Sequence, residues 1–558
     1  MSPLKLPFEI LRSPLARALL YFTVVILILA GPFLLRSGDS QSLMTSGRRL
    51  VIVSPHDQRV RAEIGGAFVR YWKAKTGETI DIDWRIPGGS SEIFMLLKSE
   101  YVASFRQMLE ARGVLWSPEI AAAFASHGAA TKGSPAAEKA RTEFLASNVG
   151  IGIDILFGGG ANDFQQLADA GYLVAGEVDA GTGISSLRQG HPEWFSEGTI
   201  PESFAGERYR DSKDRWVGVV LASFGIIYNR DVYRELGDLP APVEWSDLTS
   251  PRLAGHLALA DPTKSGSVAK AFELMVQQQM LESYRRRVAA GDFNAEAHAI
   301  EEGWLSGLRL IQRLSGNARY FTDSAGKIGL EVARGDAAAG MAIDTYGRTL
   351  KDYVRTDQGE SRIGYVTPKN GTSLSVDPVA LLRGAPDPKL ATAFIEFLLS
   401  PEGQKIWSMK PGAAQGPKSF ALRRFPVRKD LYGGEQKRLS TDPTADPYAE
   451  VTGFIYHPEW TQVLFPALRF IIRTICVDPH EELARAWRAI VKGGMQPDAL
   501  EVFHDLDGLT LTEVRENLLP VLKQRDKVRE MELARQMGYR FRQRYLKAES
   551  LARGDRAP

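Results

Sequence analysis

The chain has 558 residues, of which 44% are hydrophobic and 24% are charged, and 69 basic against 67 acidic residues give a net charge of +2. This length allows two or more domains with their own hydrophobic cores, and the composition is that of a globular protein. The balanced charge and the absence of a nucleic-acid-binding sequence motif exclude nucleic acid as an expected partner.

The N-terminus contains a stretch that is long enough to cross a bilayer. Residues 18–35 carry no charge, and about 17–20 apolar residues are needed for a span. Basic residues precede this stretch, so residues 1–17 are expected in the cytoplasm and the rest of the chain outside it. An uncleaved anchor is favoured over a cleaved signal peptide, because no small-x-small site follows the apolar run. Residues 36–48 would then be a tether, and the protein would be periplasmic, anchored to the bacterial inner membrane.

The cysteine content is one residue, Cys476, within the apolar run 470–477. An intramolecular disulfide and a cysteine-rich metal site are therefore excluded. No catalytic motif surrounds the thiol, so a buried structural cysteine is expected rather than a nucleophile.

The first part of the folded region alternates strands with helices. Residues 49–54 read as a buried strand, a helix follows and stops at Gly77, and residues 79–84 form the next strand. This order predicts a parallel α/β layer, in which ligands bind at the carboxyl ends of the strands. The loops after these two strands contain Ser54, His56, Asp57, Gly89, Ser90 and Ser91.

An alanine-rich region follows, over about residues 100–148, and is expected to be a helical insertion added to this first α/β part of the chain. Residues 152–157 read as a third strand, which ends at Gly158 and Gly159. Consecutive glycines can cradle a phosphate, but no Lys-Ser/Thr pair follows them, so a nucleotide-binding P-loop is not supported.

The junction over residues 256–272 is the most informative stretch. An apolar strand, 257–260, leads into a polar loop and then into a helical pattern. A serine at the helix start can cap the first N–H groups, and such a junction can also bind an anion or another polar ligand. Hydroxyl-rich helix starts are more often simple caps, so both interpretations stay open. The residues concerned are Thr263, Ser265 and Ser267.

The later part of the chain repeats the pattern once more and then becomes helical. A strand over 335–343 ends at Asp344 and Tyr346, and a further strand is expected over 376–382. From residue 481 the pattern is largely helical, and the charged tail after Arg525 is expected to be a solvated helix.

Six stretches in this order resemble the extracellular solute-binding proteins of ABC importers, in the group that binds ferric ion, polyamines and phosphonates. They extend from about residue 49 to residue 407 and read SPHDQRVRAEIGGAFVRYWKAKTG, IDILFGGGANDFQQLADAGYL, WVGVVLASFGIIYNRDVY, WSDLTSPRLAGHLALADPTKSGS, GDAAAGMAIDTYG and VDPVALLRGAPDPKLATAFIEFLLSPEGQKIW.

The resemblance implies a two-lobed α/β fold of the type II periplasmic-binding-protein kind, which closes on its ligand about a hinge. Lobe 1 would comprise residues 49–157 and 345–400, and lobe 2 residues 158–344. Residues 401–558, expected to be a mostly helical C-terminal extension, are not explained by the resemblance. The cleft would be lined by Ser54, His56, Asp57, Gly89, Ser90, Ser91, Gly158, Gly159, Thr263, Ser265, Ser267, Asp344 and Tyr346.

Three classes of ligand stay open. Serines and glycines at helix starts favour an anion. His56, Asp57, Asp344 and Tyr346 could instead bind ferric iron, although the paired tyrosines of ferric-ion-binding members are absent. A cation would need carboxylates with aromatic side chains, such as those of Trp84, Trp216 and Tyr346.

Capture of a small solute or metal ion for an ABC permease is therefore the expected function. The alternative is a membrane-anchored sensor or interaction domain that kept the solute-binding clamp. No cofactor is expected. An enzyme is disfavoured, because the sequence shows no nucleophile–base pair, no HExxH motif and no nucleotide motif.

Overall fold

The computed structural model describes residues 47–125, 134–354, 359–451, 453–524 and 526–554. Two mixed β-sheets, each covered by helices, organise these residues into two lobes. The expected cytoplasmic residues 1–17, the expected membrane segment 18–35 and most of the tether 36–48 lie outside the described residues, so the structure does not test them.

The strands in chain order are β1 Arg48–Val53, β2 Ile80–Arg85, β3 Ile155–Phe157, β4 Leu173–Val174, β5 Ser203–Phe204, β6 Glu207–Arg208, β7 Val217–Ala222, β8 Phe224–Asn229, β9 Leu257–Ala260, β10 Ala318–Thr322, β11 Ala339–Ile343, β12 Ile363–Val366, β13 Ser375–Leu382 and β14 Phe425–Pro426.

The helices in chain order are α1 Gln58–Thr76, α2 Ser90–Ala111, α3 Pro118–Ala125, α4 Pro135–Ala146, α5 Ala161–Asp169, α6 Gly183–Gly190, α7 Arg230–Glu235, α8 Gly266–Ala289, α9 Ala295–Asn317, α10 Ala325–Arg334, α11 Asp344–Tyr353, α12 Pro388–Leu399, α13 Pro401–Ser408, α14 Gly434–Leu439, α15 Pro447–Glu450, α16 Pro458–Thr461, α17 Phe465–Ile472, α18 His480–Lys492, α19 Pro497–Phe503, α20 Leu511–Glu513, α21 Leu519–Gln524 and α22 Lys527–Arg553.

The first lobe is built on a sheet in the order β14-β7-β13-β3-β1-β2, and β4 also pairs with β13. Strands β1, β2 and β3 are parallel, as predicted, whereas β13 runs antiparallel to β3 and β7. Strand β1 shows why the sheet is buried on both faces: Leu50 and Ile52 pack into one hydrophobic cluster, and Val51 and Val53 pack into another.

The second lobe is built on a sheet in the order β10-β9-β11-β8-β12. The chain enters this lobe between β7 and β8, at residues 222–224, and returns to the first lobe between β12 and β13, at residues 366–375. In this sheet β8 alone runs antiparallel to the other strands, whereas in the first sheet both β13 and β14 run antiparallel to β7.

These crossings differ from the lobe boundaries drawn from the sequence. Residues 158–222 were assigned to lobe 2, but β7 pairs with β13 in the first sheet. Residues 345–366 were assigned to lobe 1, but β12 pairs with β8 in the second sheet. The sequence pattern shows where strands lie, whereas the boundary depends on which distant strand each of them pairs with.

The insertion over about 100–148 packs on the first lobe through aromatic side chains. The ring centroids of Tyr101 and Phe144 lie 4.6 Å and 5.9 Å from that of Tyr172, which directly precedes β4 in the first lobe. Residues 126–133 of the insertion lie outside the described residues.

Residues after 400 do not form a separate extension. Residues 401–451 pack on the first lobe, where β14 pairs with β7. Residues 453–554 share the hydrophobic core of the second lobe. The tail helix α22 is not solvated on all sides, because Phe541 and Tyr545 are fully buried in that core.

One described helical stretch, Pro458–Val477, is long and apolar enough to cross a membrane by length and composition. More than half of it is buried inside the protein, and its side chains belong to the core of the second lobe. Cys476, in this stretch, is fully buried as predicted.

Candidate functional site

A cavity of about 1290 Å³ lies between the two lobes. Its volume exceeds the roughly 300–1,000 Å³ of common small-molecule sites. Nine of the predicted ligand-binding residues line it: His56, Asp57, Gly89, Ser90, Ser91, Gly159, Ser265, Ser267 and Tyr346. The loops at the ends of strands from both lobes therefore do meet in one cleft.

Two of the remaining predicted residues support the cleft from behind. Ser54 is fully buried, and its hydroxyl accepts the backbone N–H of His56 at 3.1 Å. Gly158 has a positive φ of 88°, and a Cβ atom there would lie 2.5 Å from Nε2 of His56. These residues position His56 and do not line the cavity.

Thr263 and Asp344 are also outside the cavity lining. The hydroxyl of Thr263 donates to Asp261 Oδ1 at 2.7 Å, which fixes the loop after β9. Asp344 begins α11, is 1% exposed, and accepts from Arg348 Nη2 at 2.9 Å. Its carboxylate is therefore already neutralised by a neighbour one helical turn away.

Several helices begin at the cavity, and four of them begin directly after a glycine or a serine. Gly89 and Ser90 start α2, Gly160 precedes α5, Ser265 precedes α8 and Ser324 precedes α10. Of these four helices, only α8 has a side-chain cap within the described chain: Ser265 Oγ accepts the N–H of Val268 at 3.4 Å. The free N–H groups and the positive ends of these helices favour negative charge in the cavity.

Cationic side chains accompany these helix ends. Lys264 is exposed in the loop that precedes α8 and lines the cavity. Arg469 on α17 donates to the carbonyl oxygens of Pro262 and Thr263, at 2.9 Å each, and so fixes this loop from the other side. Both residues add positive charge beside the start of α8.

A buried ion pair connects the walls of the cavity. Nζ of Lys270 on α8 lies 3.1 Å from a carboxylate oxygen of Glu207 and 3.1 Å from one of Glu273, and 3.3 Å from the ring centroid of Tyr456. Burial alone would lower the pKa of Lys270, but the two carboxylates raise it above its usual value. The lysine therefore stays charged, and its charge is balanced within the protein.

A second ion pair, between Arg424 and Asp377, lies beside His56. Burial lowers the pKa of His56 to about 4, so its imidazole is neutral at neutral pH. Arg424 is 6% exposed and donates from Nη1 to Asp377 at 2.6 Å. Within the described chain, His56 Nε2 and Arg424 Nε have no hydrogen-bond partner. These two nitrogen atoms belong to residues that line the cavity.

The ferric-ion hypothesis is not supported by this arrangement. Among the described residues, no three His, Cys, Asp or Glu side chains are grouped closely enough to hold a metal ion. Asp344, one of the proposed ligands, is paired with Arg348 and does not line the cavity.

Several cavity residues were missed from the sequence. Lys264 and Lys270 lie within the stretch that was singled out, but a lysine in a loop or on a helix carries no specific signal. A further group of missed residues comes from the part of the chain after 418 and reaches the cavity through long-range packing: Leu422, Arg424, Tyr456, Pro458, Gln462, Phe465 and Arg469.

Residues 197–418 match the family model described as bacterial extracellular solute-binding protein. An uncharacterized protein of Haemophilus influenzae is 28% identical over 248 residues, which are 42% of this chain and 63% of that protein. The phosphoglycerate transport regulatory protein PgtC of Salmonella typhimurium is 24% identical over 230 residues, which are 40% of this chain and 50% of PgtC. The matched part thus spans between half and two thirds of these relatives.

Two solved structures can be aligned with most of the chain. The periplasmic binding protein AfuA of Actinobacillus pleuropneumoniae, with fructose-6-phosphate bound, shows 17% identity and a TM-score of 0.46 over 78% of this chain and 99% of AfuA. Iron-bound HitA of Pseudomonas aeruginosa shows 17% identity and a TM-score of 0.44 over 76% of this chain and 99% of HitA. The match over residues 197–418 agrees with the resemblance seen in the sequence: this part of the chain is similar to the bacterial extracellular solute-binding proteins.

Proposed function

We propose that this protein is an extracytoplasmic solute-binding protein that captures a small anionic solute between its two lobes and delivers it to an ABC permease. The observation that carries the proposal is the convergence of four helix starts on one cavity, accompanied by Lys264 and Arg469. Such helix starts bind phosphate and carboxylate groups through their N–H groups.

The proposed ligand contacts are the nine predicted residues that line the cavity. Backbone N–H groups at Gly89 and Gly159 and the hydroxyls of Ser90, Ser265 and Ser267 would replace the water around an anion. Each hydrogen bond to a charged group contributes about 1.5–3 kcal/mol. Charge on the solute would be balanced by Lys264 and Arg469, which line the cavity beside the start of α8.

Three carboxylates that line the cavity, those of Glu207, Glu273 and Asp377, are paired with cations that also line it, and these three do not argue for a cationic solute. Glu207 and Glu273 share the single positive charge of Lys270, and Asp377 is paired with Arg424. A phosphorylated carboxylate is the natural first probe, because the relative PgtC is named for phosphoglycerate transport.

Residues 18–35 would anchor the protein in the inner membrane, with the two lobes in the periplasm. This placement rests on the length of the apolar run and on the basic residues that precede it. The proposed partners are thus the solute, the membrane and a permease within it. No catalytic role is proposed.

The experiment is a calorimetric titration of the full-length chain with phosphoglycerate. We expect one site per chain. The double variant Ser265→Ala/Ser267→Ala should bind at least about tenfold more weakly, because two hydroxyls are lost from the anion site. Ser134→Ala is the matched control, since Ser134 also caps a helix through a 3.4 Å bond, at the start of α4 away from the cavity. Equal affinity in the double variant and the parent would contradict the site assignment.

A membrane-anchored sensor that kept the solute-binding clamp is the second candidate. The name of PgtC, a transport regulatory protein, favours it. In membranes, cross-linking through the lobes should capture a permease if the protein delivers solute. Capture of a signalling protein, with no effect of the chain on solute uptake, would favour the sensor instead.

A further inference from the structure

The segment over residues 453–472 lies along the cleft and belongs to the part of the chain beyond the family match. It contains α16 and α17 and supplies a continuous run of cavity-lining side chains: Tyr456, Pro458, Gln462, Phe465 and Arg469. The cleft therefore has a wall that neither of the two sheets provides.

This segment is fastened to the second lobe. The hydroxyl of Tyr456 donates to Glu273 at 3.0 Å, and Nε2 of Gln277 donates to the carbonyl oxygen of His457 at 2.7 Å. Glu273 and Gln277 are both on α8, one helical turn apart. The segment is therefore bound to the second lobe through α8.

The same segment also contacts the first lobe. Nε2 of Gln462 donates to Oδ1 of Asn162 on α5 at 2.7 Å, and the backbone N–H of Tyr456 donates to the carbonyl oxygen of Ala205 at 2.9 Å. Ala205 lies in the turn between β5 and β6. The next residue, Gly206, approaches so closely that a Cβ atom there would lie 1.8 Å from the carbonyl oxygen of Tyr456.

The buried ion pair adds a third connection at this place. Glu207 is on β6 in the first lobe, and Lys270 is on α8 in the second, with side chains 8% and 19% exposed. Separating the lobes would break this pair together with both hydrogen bonds. None of these contacts involves the two crossings between the lobes.

We propose that segment 453–472 is a third wall of the solute cleft, which joins the two lobes and sets the width of the cleft before a solute enters. The inference rests on the proposed function only in taking this cavity as the solute site. Tyr456, Gln462 and Arg469 would then limit the size of the solute. They face it from a side of the cleft that residues 197–418, the part that matches the family model, leave open.

The test measures the distance between the lobes in the full-length chain without added solute. Spin labels are attached at Met95→Cys on α2 and Leu330→Cys on α10, which are 61% and 47% exposed. Cys476 is fully buried and stays unlabelled. We expect a narrow distance distribution in this labelled parent. Adding Glu207→Gln and Gln462→Ala should broaden it and shift it to longer distances.

Val463→Ala is the matched control, because Val463 follows Gln462, is 60% exposed and does not line the cavity. Gln462→Ala alone removes only an exposed side-chain bond and gives the same test without the buried ion pair. A broad distribution in the labelled parent, or an unchanged narrow one in both the single and the double variant, would overturn the inference. Failure of the protein to bind phosphoglycerate would not change these solute-free distances, so it contradicts the proposed function separately.

Discussion

Glu63 on α1 binds the loop over residues 418–420, which leads into the C-terminal residues that line the cleft. Its side chain is buried, with 4% exposure, and accepts three backbone N–H groups: those of Lys418 at 2.6 Å, Ser419 at 2.7 Å and Phe420 at 2.8 Å. Leu422 and Arg424 follow this loop directly and line the cavity. Glu63→Ala should therefore release the loop that positions Arg424.

The size of the effect follows from the three bonds. Each hydrogen bond to a charged acceptor contributes about 1.5–3 kcal/mol, so that additive bonds would give about 5–9 kcal/mol. The three bonds share one carboxylate, and the side chains of residues 418–420 are exposed, so water can reach the released loop. We therefore expect a local loss of about 2–4 kcal/mol. Glu63→Gln keeps one carbonyl oxygen as an acceptor and should lose less.

Amide hydrogen exchange is the appropriate assay, because a chain with two lobes need not unfold in one step. A local loss of about 2–4 kcal/mol corresponds to exchange that is about 30- to 1,000-fold faster at residues 418–420. Glu110→Ala is the control, since Glu110 is an exposed ion-pair partner of Arg106. Unchanged exchange at residues 418–420 in Glu63→Ala would refute the assignment of Glu63 as the anchor of this loop.

Three further predictions concern Gly158, His56 and Cys476. Gly158→Ala should lower the Tm more than Gly77→Ala does. Both glycines have a positive φ, but only at Gly158 would an added Cβ atom lie against His56. Equal shifts in Tm would contradict the packing of His56 against Gly158. Burial lowers the pKa of His56 from 6.5 to about 4. Between these pH values the unfolded chain binds a proton at His56 that the folded chain does not bind. The parent should therefore lose about 3 kcal/mol of stability as the pH falls through this range. His56→Phe should show a shallower loss in denaturation at pH 7 and pH 4.5, and an identical loss would exclude His56 as the titrating group. Burial raises the pKa of Cys476 to about 12, so a thiol reagent should modify it only after denaturation, and rapid modification of the native chain would contradict its burial.

The local pattern of the sequence was sufficient to place the cleft-lining loops. Apolar runs that end in serine, glycine or aspartate mark the carboxyl ends of strands, and nine residues chosen in this way do line one cavity. The same rule included Ser54 and Gly158, which lie behind His56, because a pattern of residue types does not tell a ligand contact from its support.

The lobe boundaries and the third wall required information that short patterns do not carry. The boundary depends on the pairing of β7 with β13, where Val376 lies opposite Leu221 across more than one hundred intervening residues. Gln462 meets Asn162 across 300 residues of sequence. Neither contact is coded in periodicity or in the spacing of residue types.

The measurement that tests the central claim most directly is the melting temperature of the full-length chain against a panel of phosphate esters, phosphonates, carboxylates, sugars, polyamines and ferric complexes. A ligand at 100 times its dissociation constant adds about 2.7 kcal/mol of stability. An anionic solute in the cleft predicts a clear rise in Tm with one class of anion, and a much smaller rise with the same compound in Ser265→Ala/Ser267→Ala. A rise with polyamines or ferric complexes alone, or no rise with any member of the panel, would contradict it.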